Sequence, residues 1–246
     1  MHLKLKLVTL FIICIALISC KPLIEDGLTY DEYVNKAKEY RSNGDYDRAI
    51  AAGKKALSIK PNDGEAHYLL AALYDEGYRK SYDTAQMKAL QNAMMNSNKR
   101  RYSDEIEEYK QFGLKAEWGP LAIQEFKETI KYNSKNWFAH YVIATDHFNN
   151  KRFKEAIDEY RKVIAINPNY ANAHSLMGES YYKLGDSKSA VLNLETAVKI
   201  NPDAYNYCQL GLAYRKANNM KKYVEIAAKL KGMDKGFYDQ LVNPLN

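Results

Sequence analysis

Between Lys154 and Ile166 the apolar residues Ile157, Tyr160, Val163 and Ile164 recur at three- and four-residue spacing, with mostly charged residues between them. That period places them on one face of an α-helix. Such runs end at regular places. Pro61, Pro168 and Pro202 each follow a helical run and stop it, in Lys60-Pro61-Asn62, Asn167-Pro168-Asn169 and Asn201-Pro202-Asp203. Pro168 and Pro202 differ in position by 34, and Pro61 precedes Pro168 by 107, five more than three such periods. Pro120, just after Trp118-Gly119, is placed instead to open a helix.

A common order of residues stands before each stop. It reads Gly44-Asp45-Tyr46-Asp47-Arg48-Ala49-Ile50, then Lys151-Arg152-Phe153-Lys154-Glu155-Ala156-Ile157, then Gly185-Asp186-Ser187-Lys188-Ser189-Ala190-Val191. Further upstream, His174, Met177, Gly178 and Tyr181 are spaced as His140, Ile143, Ala144 and His147 are, and as Tyr33, Lys36, Ala37 and Tyr40 are. The chain thereby resembles the tetratricopeptide repeat (TPR) proteins, whose units of about 34 residues are helical hairpins. His67, Leu70, Ala71 and Tyr74 begin a further unit whose Ala85 arrives two positions late. After a basic insertion at Lys99-Arg100-Arg101, Ala122 and Phe126 mark a weak unit, and Tyr207, Leu210, Gly211 and Tyr214 open the last.

The resemblance implies an all-α solenoid of about six hairpins in a right-handed superhelix, with units near 30–63, 64–99, 103–136, 137–170, 171–203 and 204–237. The solenoid thus spans 30–237, and 238–246 form a C-terminal cap or tail. A final helix is expected over Asp234–Leu241. Small residues at Ala37, Ala71, Ala144, Gly178 and Gly211, and at Ala49, Ala85, Ala122, Ala156 and Ala190, let paired helices approach closely. One such hairpin cannot bury its apolar face alone, so neighbours stack.

The first twenty positions read differently. Lys4 and Lys6 precede an uninterrupted apolar run from Leu7 to Ser19. A membrane span needs about 20 apolar residues, so this shorter run suits the core of a signal peptide, residues 1–19. Leu17-Ile18-Ser19-Cys20 resembles a bacterial lipobox. The resemblance implies cleavage before Cys20, lipidation of its thiol with palmitate-type chains, and a mature chain held to the membrane by that anchor. Two or three acyl chains anchor stably where one does not. Residues 20–29 then form a tether whose last nine residues reach at most about 30 Å. Lys21 at the sorting position implies the outer membrane, facing the periplasm.

Only 12 glycines and 6 prolines occur in 246 residues, which favours long helices over a many-stranded fold. The formal charge of +6 falls to +4 once Lys4 and Lys6 leave, and an exported protein has no nucleic acid to meet. Losing Cys14 and lipidating Cys20 leaves Cys208 unable to form an intramolecular disulfide. No nucleotide-binding, zinc-protease or dithiol motif occurs. Ser180-Tyr181-Tyr182-Lys183 matches an S-x-x-K tetrad but lacks its companion elements and lies in a repeat helix. His67, His140 and His174 share one packing position and are not spaced to hold zinc. The chain is expected to have no enzymatic activity, no metal and no cofactor.

Tyrosine is abundant, 21 of the 30 aromatics. Tyr33, Tyr40, Tyr74, Tyr181, Tyr207 and Tyr214 occupy repeat positions. What remains on the inner face of the first helices is the candidate partner-binding strip: Phe138, Tyr141, Phe148, Tyr182, Lys183, Tyr205, Arg215 and Lys216. Its aromatic surface with a cationic edge suits a segment of another protein. The expected function is a membrane-anchored periplasmic scaffold in envelope complex assembly; the alternative is a ligand-binding accessory lipoprotein of a transporter.

Overall fold

A computed structural model describes residues 26–95 and 115–243. The signal peptide, Cys20 and the Lys99-Arg100-Arg101 insertion lie outside the described residues. The chain divides into two compact units, one ending at Pro61 and one beginning at Asn62. Among the described residues every regular element is a helix, and no helix is long and apolar enough to cross a membrane.

The first unit is a hairpin of α1 (Tyr30–Ser42) and α2 (Tyr46–Ile59). Thr29 caps α1 in a reciprocal capping box, its N–H donating to Glu32 Oε2 at 2.7 Å. Gly44 turns the chain at φ +72°, which a residue without Cβ adopts freely. Tyr33, Ala37, Ala49, Ile50 and Ala56 are buried between the helices. Asp26, near the end of the expected tether, is already held, its carboxylate accepting from Lys55 Nζ at 2.6 Å.

The second unit contains α3 (Gly64–Met95), α4 (Trp118–Tyr132), α5 (Trp137–Asn149), α6 (Phe153–Ile166), α7 (Ala171–Leu184), α8 (Ser187–Ile200), α9 (Ala204–Lys216), α10 (Met220–Met233) and α11 (Lys235–Val242). Consecutive helices from α3 to α10 pair as four hairpins, and α11 covers α9 and α10. Hairpin turns recur with a left-handed residue, Lys151 at φ 59°, Gly185 at φ 87° and Asn218 at φ 56°. Close packing is visible at two of the small positions. A Cβ on Gly178 would lie 2.7 Å from Leu194 Cγ, and one on Gly211 would lie 2.7 Å from Leu241 Cδ2.

The division into six units differs in one place. The turn expected within 64–99 does not form: α3 runs unbroken from Gly64 to Met95, carrying Ala85 with it. The second helix of this hairpin is α4. His67 stacks on Tyr132 at 5.5 Å and reaches Glu125 Oε2 at 2.7 Å, Tyr74 meets Trp118 at 6.3 Å, and Tyr132 donates to Asn62 Oδ1 at 2.9 Å. One repeat period on from Gly44 stands Tyr78, a bulky side chain disfavoured in the left-handed turn conformation. The helix therefore continues there. The chain is back by Lys115, whose N–H donates to Ser81 Oγ at 3.1 Å. Five hairpins stand among the described residues, and the first half of the 103–136 unit lies outside them.

Candidate functional site

A cleft of about 1090 Å³ opens within the second unit, between the α3–α4 hairpin and α5. Asp75, Tyr78 and Arg79 of α3 form one wall. Gly119, Pro120, Ile123, Gln124 and Lys127 present one face of α4 at three- and four-residue spacing. Phe138, Tyr141, Val142, Thr145, Asp146 and Asn149 do the same from α5, and Tyr170 closes the end from the α6–α7 turn.

Aromatic packing positions the α5 wall. Phe138 lies 6.1 Å from the buried Phe126 ring, and Tyr141 meets Tyr170 edge-on at 5.0 Å. Both are half-buried, so each ring is braced by neighbouring helices while still reaching the cleft. Tyr160 lies beneath, its hydroxyl 3.2 Å from Thr145 Oγ1. Burial, together with the neighbouring Tyr141, pushes the Tyr170 phenol up to about 12. The Tyr170 phenol therefore stays protonated at neutral pH.

The charges in the cleft are unevenly matched. Asp75 is paired with Arg79, and burial holds its carboxyl above the ordinary range despite that cation. Asp146 is paired with Arg152 at 2.8 Å. Lys127 is exposed and has no hydrogen-bond or ion-pair partner among the described residues. An acidic group of a guest segment would therefore meet it without displacing a native partner.

The eight residues singled out from sequence do not share one surface. Phe138 and Tyr141 line the cleft. Phe148 instead packs on Phe153 at 5.6 Å, against the core of the α5–α6 hairpin. Tyr182 and Lys216 satisfy each other, the ammonium lying 4.2 Å from the ring centroid and donating to the Tyr182 carbonyl at 2.6 Å. Lys183 is exposed. Tyr205 donates to Glu179 Oε1 at 2.6 Å and its ring meets Phe237 of α11 at 6.2 Å. Arg215 donates to the Leu241 carbonyl at 3.2 Å, near the end of α11. The expected single strip is thus interrupted, because α11 occupies the C-terminal end of the inner face. Tyr78, Arg79, Gln124, Lys127 and Tyr170 also line the cleft, and their repeat positions did not mark them as candidates.

The three histidines serve the hairpins. His140 places both ring nitrogens on acceptors, Glu159 Oε2 at 2.6 Å and the Ser134 carbonyl at 3.1 Å. His67 Nδ1 meets Glu125 Oε2 at 2.7 Å as His140 Nδ1 meets Glu159, while His174 Nε2 meets the Pro168 carbonyl at 2.9 Å.

This architecture defines an all-α helical-repeat solenoid with an aromatic cleft, and comparison with known proteins specifies the repeat. A TPR repeat model matches residues 37–76 and 146–185, and a tetratricopeptide repeat model matches 171–203. The chain carries TPR repeats. No relative among curated proteins matches it. Among solved structures, a crystal structure of MamA protein is similar at 22% identity, covering 88% of this chain and 96% of that one, with a TM-score of 0.59. MamA from Desulfovibrio magneticus RS-1, residue 41 to its end, is similar at 17% identity over 86% of this chain and 98% of that one, also with a TM-score of 0.59. At these identities the likeness is one of fold.

Proposed function

We propose that this protein is a membrane-anchored scaffold whose cleft, bounded by α3, α4, α5 and Tyr170, docks a segment of a partner protein. The observation that carries the reading is the cleft's composition. A braced aromatic wall faces a helix that presents an exposed, unpartnered Lys127, on a repeat architecture built to offer a concave surface. Phenol rings give contact area at low conformational cost, and one unmatched cation selects a segment with an acidic group.

The anchor is part of the same proposal. The apolar run Leu7–Ser19 and Cys20 support export, lipidation and a place at the outer membrane facing the periplasm, in assembly of an envelope complex. Asp26, within the proposed tether, pairs with Lys55 of α2 at 2.6 Å.

Pull-down from membranes with Lys127→Ala plus Gln124→Ala tests the docking surface. Both side chains are exposed, so the fold is expected to survive. The pair should lose the partner recovered by the native chain, while Leu192→Ala, which is 64% exposed on α8, should retain it. Equal recovery by all three proteins would contradict the proposal.

A further inference from the structure

Three consecutive hairpins contribute their first helices, α5, α7 and α9, and the repeat period aligns positions along them. Glu179 of α7 stands where Thr145 stands on α5, and Thr145 lines the cleft. Glu179 therefore lies one hairpin beyond the cleft lining, at the repeat position that Thr145 holds within it. Its surroundings are those of a half-filled site. Oε1 accepts from the Tyr205 hydroxyl at 2.6 Å, and the carboxylate forms no other hydrogen bond and no ion pair among the described residues. Lys183, one turn later, is exposed and makes no ion pair with it. One turn earlier on the same face, Ser175 Oγ is buried and has no partner.

Tyr205 of α9 donates to it, and Glu179 and Tyr141 both lie within electrostatic range of the Tyr205 phenol. Tyr141 also meets Tyr170 edge-on at 5.0 Å. The other carboxylates facing the cleft, Asp75 and Asp146, are already paired with arginines. Burial, partly offset by the Tyr205 hydrogen bond and by Lys183, holds the Glu179 carboxyl above its ordinary range, as expected of a charge short of compensation.

We propose that Glu179, with the rings of Tyr141 and Tyr205, is the anchor for a lysine or arginine side chain of the docked segment. This deepens the docking function proposed above and rests on it. An ammonium or guanidinium beside a partly desolvated carboxylate gains an ion pair, and phenol faces add cation–π attraction. The segment would place an acidic group toward Lys127 on α4 and a basic group toward Glu179 on α7, which gives it a direction.

The test uses the full chain in detergent, labelled with ¹³C at the tyrosine rings, titrated with Nα-acetyl-lysine methylamide and with its uncharged norleucine counterpart. The lysine compound is expected to shift the Tyr141 and Tyr205 signals saturably, and the norleucine compound to leave them in place. Glu179→Gln, which can still accept the Tyr205 hydrogen bond, should weaken lysine binding at least tenfold. Glu179→Asp, which keeps the charge, should bind within about fivefold of the native chain, and Tyr205→Phe should also retain binding. Equal shifts from both compounds, no shift from either, or native binding by Glu179→Gln overturns the proposal. Partner recovery that depends on Lys127 is measured separately, so a partner captured without lysine binding removes this anchor and leaves the docking surface standing.

Discussion

Nδ1 of His67 lies 2.7 Å from Oε2 of Glu125, 58 residues later, and His140 stands in the same relation to Glu159 only 19 residues later. The same pair of helix positions is bridged in both hairpins, so the first is longer by the difference of 39. The prolines agree: Pro61 and Pro168 are separated by 107, which is two repeat periods of about 34 residues plus the same 39. Deleting residues 79–117, with Tyr78→Gly to supply the left-handed turn residue, removes that number and restores the regular spacing. The shortened chain should unfold cooperatively within about 5 °C of the native one, since a long connection changes closure entropy only slowly. Loss of a cooperative transition in circular dichroism would show that the insertion supports the hairpin.

The His140–Glu159 pair makes stability depend on pH. Burial raises the Glu159 carboxyl, but hydrogen bonds from His140 and Lys162 outweigh that and bring it down to about 2. With the folded value below the unfolded one, the contribution is present above about pH 4.5 and is lost as pH falls toward 2. Allowing for solvent screening of a partly exposed group, Glu159→Gln should cost about 1–2 kcal/mol at pH 7 and little at pH 2.5. Urea unfolding at the two pH values measures the difference. A cost that stays constant would remove the ionic contribution.

Gly178 sits where α7 meets α8, and a Cβ there would stand 2.7 Å from Leu194 Cγ and 3.2 Å from the Ala190 carbonyl oxygen. Gly178→Ala should therefore destabilise by about 1–3 kcal/mol in denaturant unfolding, although alanine is the better helix former. A neutral or stabilising result would mean that the helices separate at little cost.

Cys208 is fully buried beside α11, its Sγ 3.7 Å from the Phe237 carbonyl, and burial together with Glu179 pushes the thiol up to about 11. At pH 8 only about one molecule in a thousand carries the thiolate. In a Cys14→Ser, Cys20→Ser background the remaining thiol should react with a disulfide reagent over hours. Leu241→Ala, which removes a fully buried contact on Gly211, should speed that reaction at least tenfold. Unchanged kinetics would mean that α11 does not shield the thiol.

The repeat was legible where local chemistry repeats. Gly44 and Gly185 supply the left-handed turns, and Pro61, Pro168 and Pro202 end the second helices. The insertion was not, because Ala85 imitates the small residue of a second helix while Tyr78 gives no turn. Its signal was the His–Glu spacing, which only pairing reveals. Repeat position singled out Phe138 and Tyr141, and both line the cleft. It could not place Arg79 or Lys127, which belong to one hairpin that the period divided in two. Nor could it show that α11 meets Tyr205 and Arg215, since a cap lies where the next first helix would stand.

A partner seated in the α3–α4–α5 cleft is within reach of site-specific photocross-linking in intact membranes. A benzophenone amino acid in place of Lys127 should give a discrete adduct with one partner, whereas the same group in place of Leu192 on α8 should give none. Adducts of equal yield from both positions, or from Leu192 alone, would mean that no partner is seated in the cleft.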